Sequence, residues 1–461
     1  MYIKRSIEKK IEELANFFPV LMICGPRQVG KTTMLKELSK TWPTHVNYVT
    51  LDYPQVRLLA REDPELFLQQ YTPPVIIDEI QYAPELLPYI KIRVDESVEK
   101  GQYILTGSQM FHMMKNVSES LAGRVGILTL YSFSQSELDG RENKAFLPSG
   151  IIMSEIPLTI SEVFDRIYRG SMPALAVNAN MPIENYYGSY MQTYLERDIR
   201  DLVKITDETR FLKFISCVAA RTGQEVVLAD ISRDTEIDGK TAERWLSILC
   251  SSGLVYLLPP YFNNTIKRIV KRPKLYFMDT GLACYLSLWN NPRGLEVSAM
   301  AGAMFETYVI SEIIKSYANA GRDTRNRLCY YRDNNNKEID LIILENGKAY
   351  PVEIKKSANP GKNAVRHFGV LKDMGLDVGE GAVICMTPMI LPIDEKISMF
   401  LLDAFNPLHL AHQKQRRHPN IIWDAASVFL IKLSVIPFSP AFPFPQQSSF
   451  QRSGRSVLPR R

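Results

Sequence analysis

The sequence predicts an α/β chain in three parts: a parallel sheet flanked by helices, a mostly helical stretch, and a smaller strand-rich α/β part. Three observations carry this reading. An apolar run, FFPVLMIC, enters the string GPRQVGKT and leaves it as the helix-forming run TTMLKELSK. Short Val-, Ile- and Leu-rich runs ending in polar residues alternate with helical segments up to about residue 140. Far along the chain, Asn346-Gly347 separates two alternating runs, as a two-residue hairpin turn does.

GPRQVGKT lies between a strand and a helix, the context of a phosphate-binding loop. Gly25 and Gly30 let the backbone turn its N–H groups inward, with Pro26, Arg27, Gln28 and Val29 between them. Lys31 can reach the β and γ phosphates, the Thr32 hydroxyl can ligate Mg²⁺, and Thr33 continues the helix start. ATP and Mg²⁺ are therefore the expected cofactors, and ATP hydrolysis the expected reaction. HVNYVTLDYP reads as the next strand, and PPVIIDEI as a buried strand ending in Asp78 and Glu79. At the carboxyl edge of the sheet Asp78 would hold Mg²⁺ alongside Thr32, and Glu79 would act as base for the attacking water. In YILTGS, Thr106 and Ser108 are candidates to sense the γ-phosphate, although Thr-Gly-Ser is also an ordinary turn. Arg124 in ESLAGRV is the candidate cation for transition-state charge, in its own subunit or a neighbour's; a lone arginine is more often a surface residue.

The second part, about 155–270, contains VVLADISRDTEIDGKTAERWLSILCSSGLVYLLPPY. A short helix, a polar turn, a helix with Thr241, Trp245 and Leu246, and a strand pair follow the order of a winged helix-turn-helix. Lys267, Arg268, Lys271, Arg272 and Lys274 then offer five cations that could contact DNA phosphates without reading sequence. A solvated basic strand in a module that binds only protein is the equal alternative.

The third part, 274–397, holds EIDLIILENGKAYPVEIKKS. With Asn346 and Gly347 as the central turn residues, Asp340 pairs with Glu353 and Glu338 with Lys355. Ile339, Leu341, Ile343, Tyr350, Val352 and Ile354 form one apolar face, and Asp340, Glu353 and Lys355 share the other. Two carboxylates facing each other on a sheet repel, and a divalent metal on Asp340 and Glu353 is the natural compensator. Lys355 could position a water there, and Glu306 on the preceding helix could complete the cluster, as for metal-assisted phosphodiester cleavage. A surface ion network is the alternative.

At 461 residues with 46% hydrophobic side chains the chain can fill two to four cores. Its six cysteines, Cys24, Cys217, Cys250, Cys284, Cys329 and Cys385, are scattered singly, without the paired spacing of zinc or redox motifs. The charged start MYIKRSIEKKIEEL and the lack of a long apolar run predict a cytoplasmic protein with no membrane partner. From Ser398 onward eight Lys/Arg stand against two Asp/Glu, a formal +6, leaving 47 basic and 48 acidic residues, or −1, before it. The net +5 is thus no argument for DNA. The stretch 398–461, rich in Pro, Phe, Ser and Arg, is expected to be an irregular or aberrant tail.

With GPRQVGKT, VIIDEI, LTGS, SLAGRV, YLERDIRDL, LYFMDTGLACYL and EIDLII with YPVEIKKS in this order, residues 1–397 resemble a prokaryotic AAA-type ATPase family. Its members carry a fused C-terminal domain of uncharacterised function similar to PD-(D/E)xK nucleases. The resemblance implies an AAA-like core over 1–140, a winged-helix segment, and a restriction-endonuclease-like fold over 274–397. It carries Lys31 and Thr32 over as nucleotide ligands, Asp78 and Glu79 as the Walker B pair, and Asp340, Glu353 and Lys355 as the nuclease-like triad. It departs from the pattern where EID replaces PD, and in the tail. DNA, a protein partner or a second copy of the chain are the partners it suggests. A nucleotide-dependent signalling or defence switch with a non-catalytic C-terminal module is the rival expectation.

Overall fold

The computed structural model describes residues 2–107, 120–149, 158–195, 208–261, 272–387 and 391–400. Residues 1–408 form one compact unit, so the three expected parts pack together. The second unit, 409–461, lies outside the described residues.

The first sheet is parallel. Its strands β1 (Val20–Cys24), β2 (Asn47–Thr50), β3 (Val75–Asp78), β4 (Tyr103–Gly107) and β5 (Val125–Thr129) lie in the order β2-β3-β4-β1-β5. β1, β3 and β4 are buried along their whole length, which is why they read as unbroken apolar runs. Alternation assigns successive residues to opposite faces. Val20, Met22, Val75, Ile77 and Leu105 pack with Leu86, Leu87 and Ile90 of the helix Leu86–Glu96. Leu21, Ile23, Ile76 and Ile104 join a larger core that continues as far as Phe400.

From the helix Glu208–Ala219 onward the order is helix, strand, helix, helix, strand, strand. The helices Leu228–Thr235 and Gly239–Ser251 follow β6 (Gln224–Glu225), and β7 (Val255–Leu258) and β8 (Lys274–Phe277) close an antiparallel sheet β6-β8-β7. The Asp238 carboxylate accepts from the Thr241 N–H and starts the helix Gly239–Ser251. Trp245 on that helix stands edge-on to Phe211 and Phe214, with centroids 5.2 and 5.4 Å away. The expected boundary at 270–274 is corrected here, because β8 hydrogen-bonds to β6 and β7 and so completes the sheet of the second part. Lys267, Arg268 and Lys271 lie outside the described residues.

The last sheet contains β9 (Leu328–Arg332), β10 (Glu338–Glu345), β11 (Lys348–Lys355), β12 (Asp377–Val378), β13 (Gly381–Cys385), β14 (Leu391–Asp394) and β15 (Ile397–Phe400). The order is β14-β15-β13-β11-β10-β9, with β12 beside β11, and the long helix Ala301–Asn319 packs against β11. Asn346 (φ 52°) and Gly347 (φ 77°) form the turn, and Leu341↔Val352 through Glu345↔Lys348 follow the register it dictates. Three expectations need correction. The ladder ends at Leu341↔Val352, because the Asp340 carboxylate takes the Ile354 N–H, at 2.9 Å. A bulge against β9 turns Ile339 to the side of Ile342, away from Leu341. Residues 398–400, assigned to the tail, belong to β15, which pairs in parallel with β13.

Candidate nucleotide site and carboxylate cluster

Gly25, at φ 144°, follows β1, and a Cβ there would lie 2.0 Å from the Leu130 carbonyl oxygen. Only glycine lets the loop leave the strand this close to its neighbour. Gly30, at φ 90°, is left-handed and starts the helix Lys31–Ser39 with no side chain capping its free N–H groups. That helix end is open to an anion, as the loop motif requires. Lys31 is buried, and its ammonium donates to the carbonyls of Gly25 (2.9 Å) and Pro26 (2.8 Å), closing the loop on itself. Burial pulls the Lys31 ammonium below its ordinary value, against the opposing pull of Glu79.

Asp78 ends β3 at the same edge of the sheet. Its Oδ2 accepts from Thr32 Oγ1 and Tyr48 OH, both at 2.9 Å, and its Oδ1 from Thr106 Oγ1. The Thr32 hydroxyl and the Asp78 carboxylate thus face each other, an oxygen pair suited to Mg²⁺. Strand order explains the part played by Thr106: β4 intervenes between β1 and β3, so its last residues stand beside Asp78. The Thr106 hydroxyl also accepts from the Glu79 N–H at 3.2 Å, and so is spent on the two carboxylate residues. Glu79 takes a left-handed conformation at φ 61°, its carboxylate accepts from Gln81, and burial raises its pKa against the pull of Lys31. Ser108 lies outside the described residues.

For Arg124 the own-subunit alternative is corrected. Arg124 precedes β5, and Val125 pairs with Val20 at the start of β1, whereas the loop follows Cys24 at the other end. Five strand residues separate the two edges, about 16 Å. There its guanidinium pairs with Asp95 and cannot meet a phosphate held by its own chain's loop.

Sequence reasoning missed the residues that hold the loop. The buried Arg5 guanidinium donates to the carbonyls of Val29 (2.8 Å) and Tyr131 (2.7 Å) and to Glu137 (3.0 Å), and lies over the Phe133 ring. Glu312 on the long helix accepts from the Gln135 N–H and pairs with Lys315, which also donates to Ser171. Asp279 in the LYFMDTG stretch caps the helix Thr280–Leu286 and accepts from Tyr187 OH (2.6 Å) and the Ser171 N–H (2.9 Å). The loop also touches the second part: Tyr186 OH donates to the Gln28 side chain at 3.1 Å, and a Cβ on Gly253 would reach Pro26 within 3.0 Å.

The second candidate site gathers Asp340, Glu353 and Lys355 as the hairpin predicts, with Glu306 beside them. The Lys355 ammonium is 3.2 Å from Asp340 Oδ2 and 2.5 Å from Glu353 Oε1. A further cation stands within the cluster. Lys274, expected as an exposed phosphate contact, is buried, with Nζ 3.1 Å from Glu306, 2.5 Å from Glu338 and 3.9 Å from Asp340. Tyr276 OH donates to Glu306 at 2.6 Å. The repulsion expected to call for a metal is met by two ammonium groups instead. Burial and the Asp340 charge push the Glu353 carboxyl up to about 8. Its Oε2 is buried without a hydrogen-bond partner among the described residues. Glu338, Asp340, Glu353 and Lys355 line a cavity of 590 Å³ together with Asn363 and His367. Among the described residues no three His, Cys, Asp or Glu side chains converge on a metal-sized point, so the cluster as folded does not fit a divalent ion.

Residues 18–139 match the family model of an AAA domain, and the first part is accordingly a P-loop domain of AAA type. Residues 160–293 and 301–405 match two domains of unknown function, DUF8612 and DUF4143. An uncharacterized protein of Mycobacterium tuberculosis and one of Mycobacterium bovis are each 28% identical over 359 residues, 77% of this chain and 75% of theirs. A Walker-type ATPase of Pyrococcus abyssi is similar in structure at 17% identity and a TM-score of 0.42, covering 61% of this chain and 95% of that one. The RuvB Holliday junction branch migration motor of Thermotoga maritima is similar at 17% identity and a TM-score of 0.27, covering 55% and 89%. Among the described residues no helix is long and apolar enough to cross a membrane.

Proposed function

We propose that this chain is a cytoplasmic ATPase whose nucleotide state is passed to the helix-and-sheet module beside it. The observation that carries this is the meeting of Thr32 and Asp78 at 2.9 Å, with Lys31 on the loop and Glu79 next in the chain. Lys31 would leave the Gly25 and Pro26 carbonyls to bind the β and γ phosphates, and Thr32 and Asp78 would hold Mg²⁺, which supplies charge neutralisation when bound. Glu79, its proton affinity raised by burial, would accept the proton of the attacking water. Thr106 would fix both carboxylate residues. Arg124 would serve only a nucleotide in a neighbouring copy. The contacts of Gln28 with Tyr186 and of Pro26 with Gly253 support transmission, since a loop rearranged by phosphate cannot leave them unchanged.

We read the module from Glu208 to Phe277 as a winged helix, from its element order and its sheet. DNA is the partner we propose for it, with the last sheet as a nuclease-like companion. The second reading, a nucleotide-dependent switch whose last sheet cuts nothing, is favoured by Lys274, which already neutralises the carboxylates. Lys31→Ala should abolish ATP binding, whereas Glu79→Gln should bind ATP and fail to turn it over; unchanged turnover in the latter removes Glu79 from the mechanism. DNA binding and cleavage assayed with and without ATP separate the two readings, and cleavage that persists in Asp340→Ala would count as contamination.

A further inference from the structure

We propose that the cavity among the helices Ile160–Arg169, Ile183–Tyr194, Glu208–Ala219 and Thr280–Leu286 binds a small organic cation, a quaternary ammonium that also bears an oxygen acceptor.

The cavity holds 410 Å³, within the ~300–1,000 Å³ of small-molecule sites. Three aromatic side chains line it, Tyr168, Tyr285 and Trp289, together with the Met191 thioether. Gly188 lets Tyr285 lie close to the helix Ile183–Tyr194, since a Cβ there would stand 3.3 Å from the Tyr285 hydroxyl. Among the described residues Glu184 is the one charged side chain in the lining, and it forms no ion pair. Its charge is felt inside: burial first, then Cys284 and Glu184, raise the Tyr168 hydroxyl above its ordinary value. Electron-rich ring faces beside an uncompensated carboxylate attract a cation. The remaining walls include Ile183, Leu212 and Leu286, which offer a bare ammonium or a metal ion nothing in place of its water. A cation wrapped in methyl groups loses little on entering.

The end of the helix Thr280–Leu286 explains how Trp289 comes to the site. The N–H groups of Leu288 and Trp289 bond back to the carbonyls of Tyr285 (3.1 Å) and Cys284 (3.0 Å), the pairing of a Schellman motif. The left-handed position of that motif usually falls to glycine, and here Leu288 occupies it at φ 62° with its side chain 88% exposed. Leu288 and the exposed Leu212 give the cavity an apolar rim. Trp289 turns inward behind them, and its Nε1 is buried without an acceptor among the described residues. A buried indole N–H calls for one, which a hydroxyl or carbonyl oxygen on the occupant supplies. Choline is the simplest molecule that joins a methylated cation to such an oxygen.

The test compares choline with the uncharged alcohol in which carbon replaces its nitrogen, a molecule of the same shape. Each is titrated into the full-length, nucleotide-free protein by isothermal calorimetry at constant ionic strength. Wild type should bind choline saturably and at least ~10-fold more tightly than the alcohol. Glu184→Gln, a change at an exposed residue, should weaken choline at least ~5-fold and leave the alcohol as it was. Trp289→Phe keeps a ring, loses the N–H, and should weaken both; if it does not fold, Glu184→Gln carries the test. Equal affinity for the two molecules would overturn the cation site and leave a plain apolar cavity. Choline binding that both variants leave intact would belong elsewhere on the chain and would overturn the assignment. So would the lack of saturable choline binding by wild type with its fold intact by circular dichroism.

Discussion

The Thr106 hydroxyl is fully buried and joins the Asp78 carboxylate to the Glu79 backbone. Thr106→Val keeps the shape and loses both bonds, at a cost of about 1–2 kcal/mol of stability. Its larger effect should be on chemistry: ATP turnover reduced by about tenfold or more with nucleotide affinity kept, compared by steady-state hydrolysis and nucleotide titration. Equal turnover would mean that Asp78 and Glu79 position themselves. Arg5→Ala takes the cation from the buried Glu137 carboxylate and leaves it only the Ser6 and Ser134 hydrogen bonds, which costs about 3–5 kcal/mol. Denaturant unfolding measures this, and a loss below 1 kcal/mol would show that water replaces the guanidinium. Glu353 predicts a pH dependence. Its carboxyl titrates near 8 in the folded protein against 4.5 in an unperturbed chain, with Asp340 and Lys355 facing it. Between those values the folded state holds a proton that the unfolded state lacks, so stability should fall as pH rises through this window. Glu353→Gln removes that titration, and its melting temperature should fall less than that of wild type over the same range. Parallel melting curves would place the charge change elsewhere.

Among elements, the hairpin and the helix Gly239–Ser251 make contrasting demands. Gly347 sits at φ 77° with open space around its missing side chain, so Gly347→Val should destabilise only through backbone strain, by about 1–2 kcal/mol. Trp245→Ala opens a hole beneath Phe211 and Phe214 and should cost about 3–5 kcal/mol. Urea unfolding of the two variants should keep that order. What was legible in the sequence follows the same division. The loop and the hairpin are written in neighbouring residues: glycines at left-handed positions, a strand before and a helix after, Asn-Gly between alternating runs. That locality brought Asp340, Glu353 and Lys355 together correctly. The own-subunit alternative for Arg124 failed because which end of a parallel strand meets the loop depends on strand order and direction. Lys274 went astray because KLYF beside other cations reads as a basic surface, and only the packing of β8 against the last sheet buries it. Thr106 was singled out as a phosphate sensor without its bonds to Asp78 and Glu79, since nothing local says that β4 lies between β1 and β3.

On the scale of the whole molecule, residues 1–408 share one large core from Ile7 to Phe400, so nucleotide site and carboxylate cluster belong to a single packed body. Arg5 carries a consequence for how the chain is made. It leaves the ribosome well before Glu137, the carboxylate it must grip to hold Val29, which is synthesised 132 residues later. The phosphate loop of a nascent chain therefore waits for the helix Gln135–Leu138 before it can take its finished shape. Chains arrested short of that helix should fail to photocrosslink ATP, and chains arrested well beyond it should succeed, so that no half-made protein withdraws nucleotide from the cell.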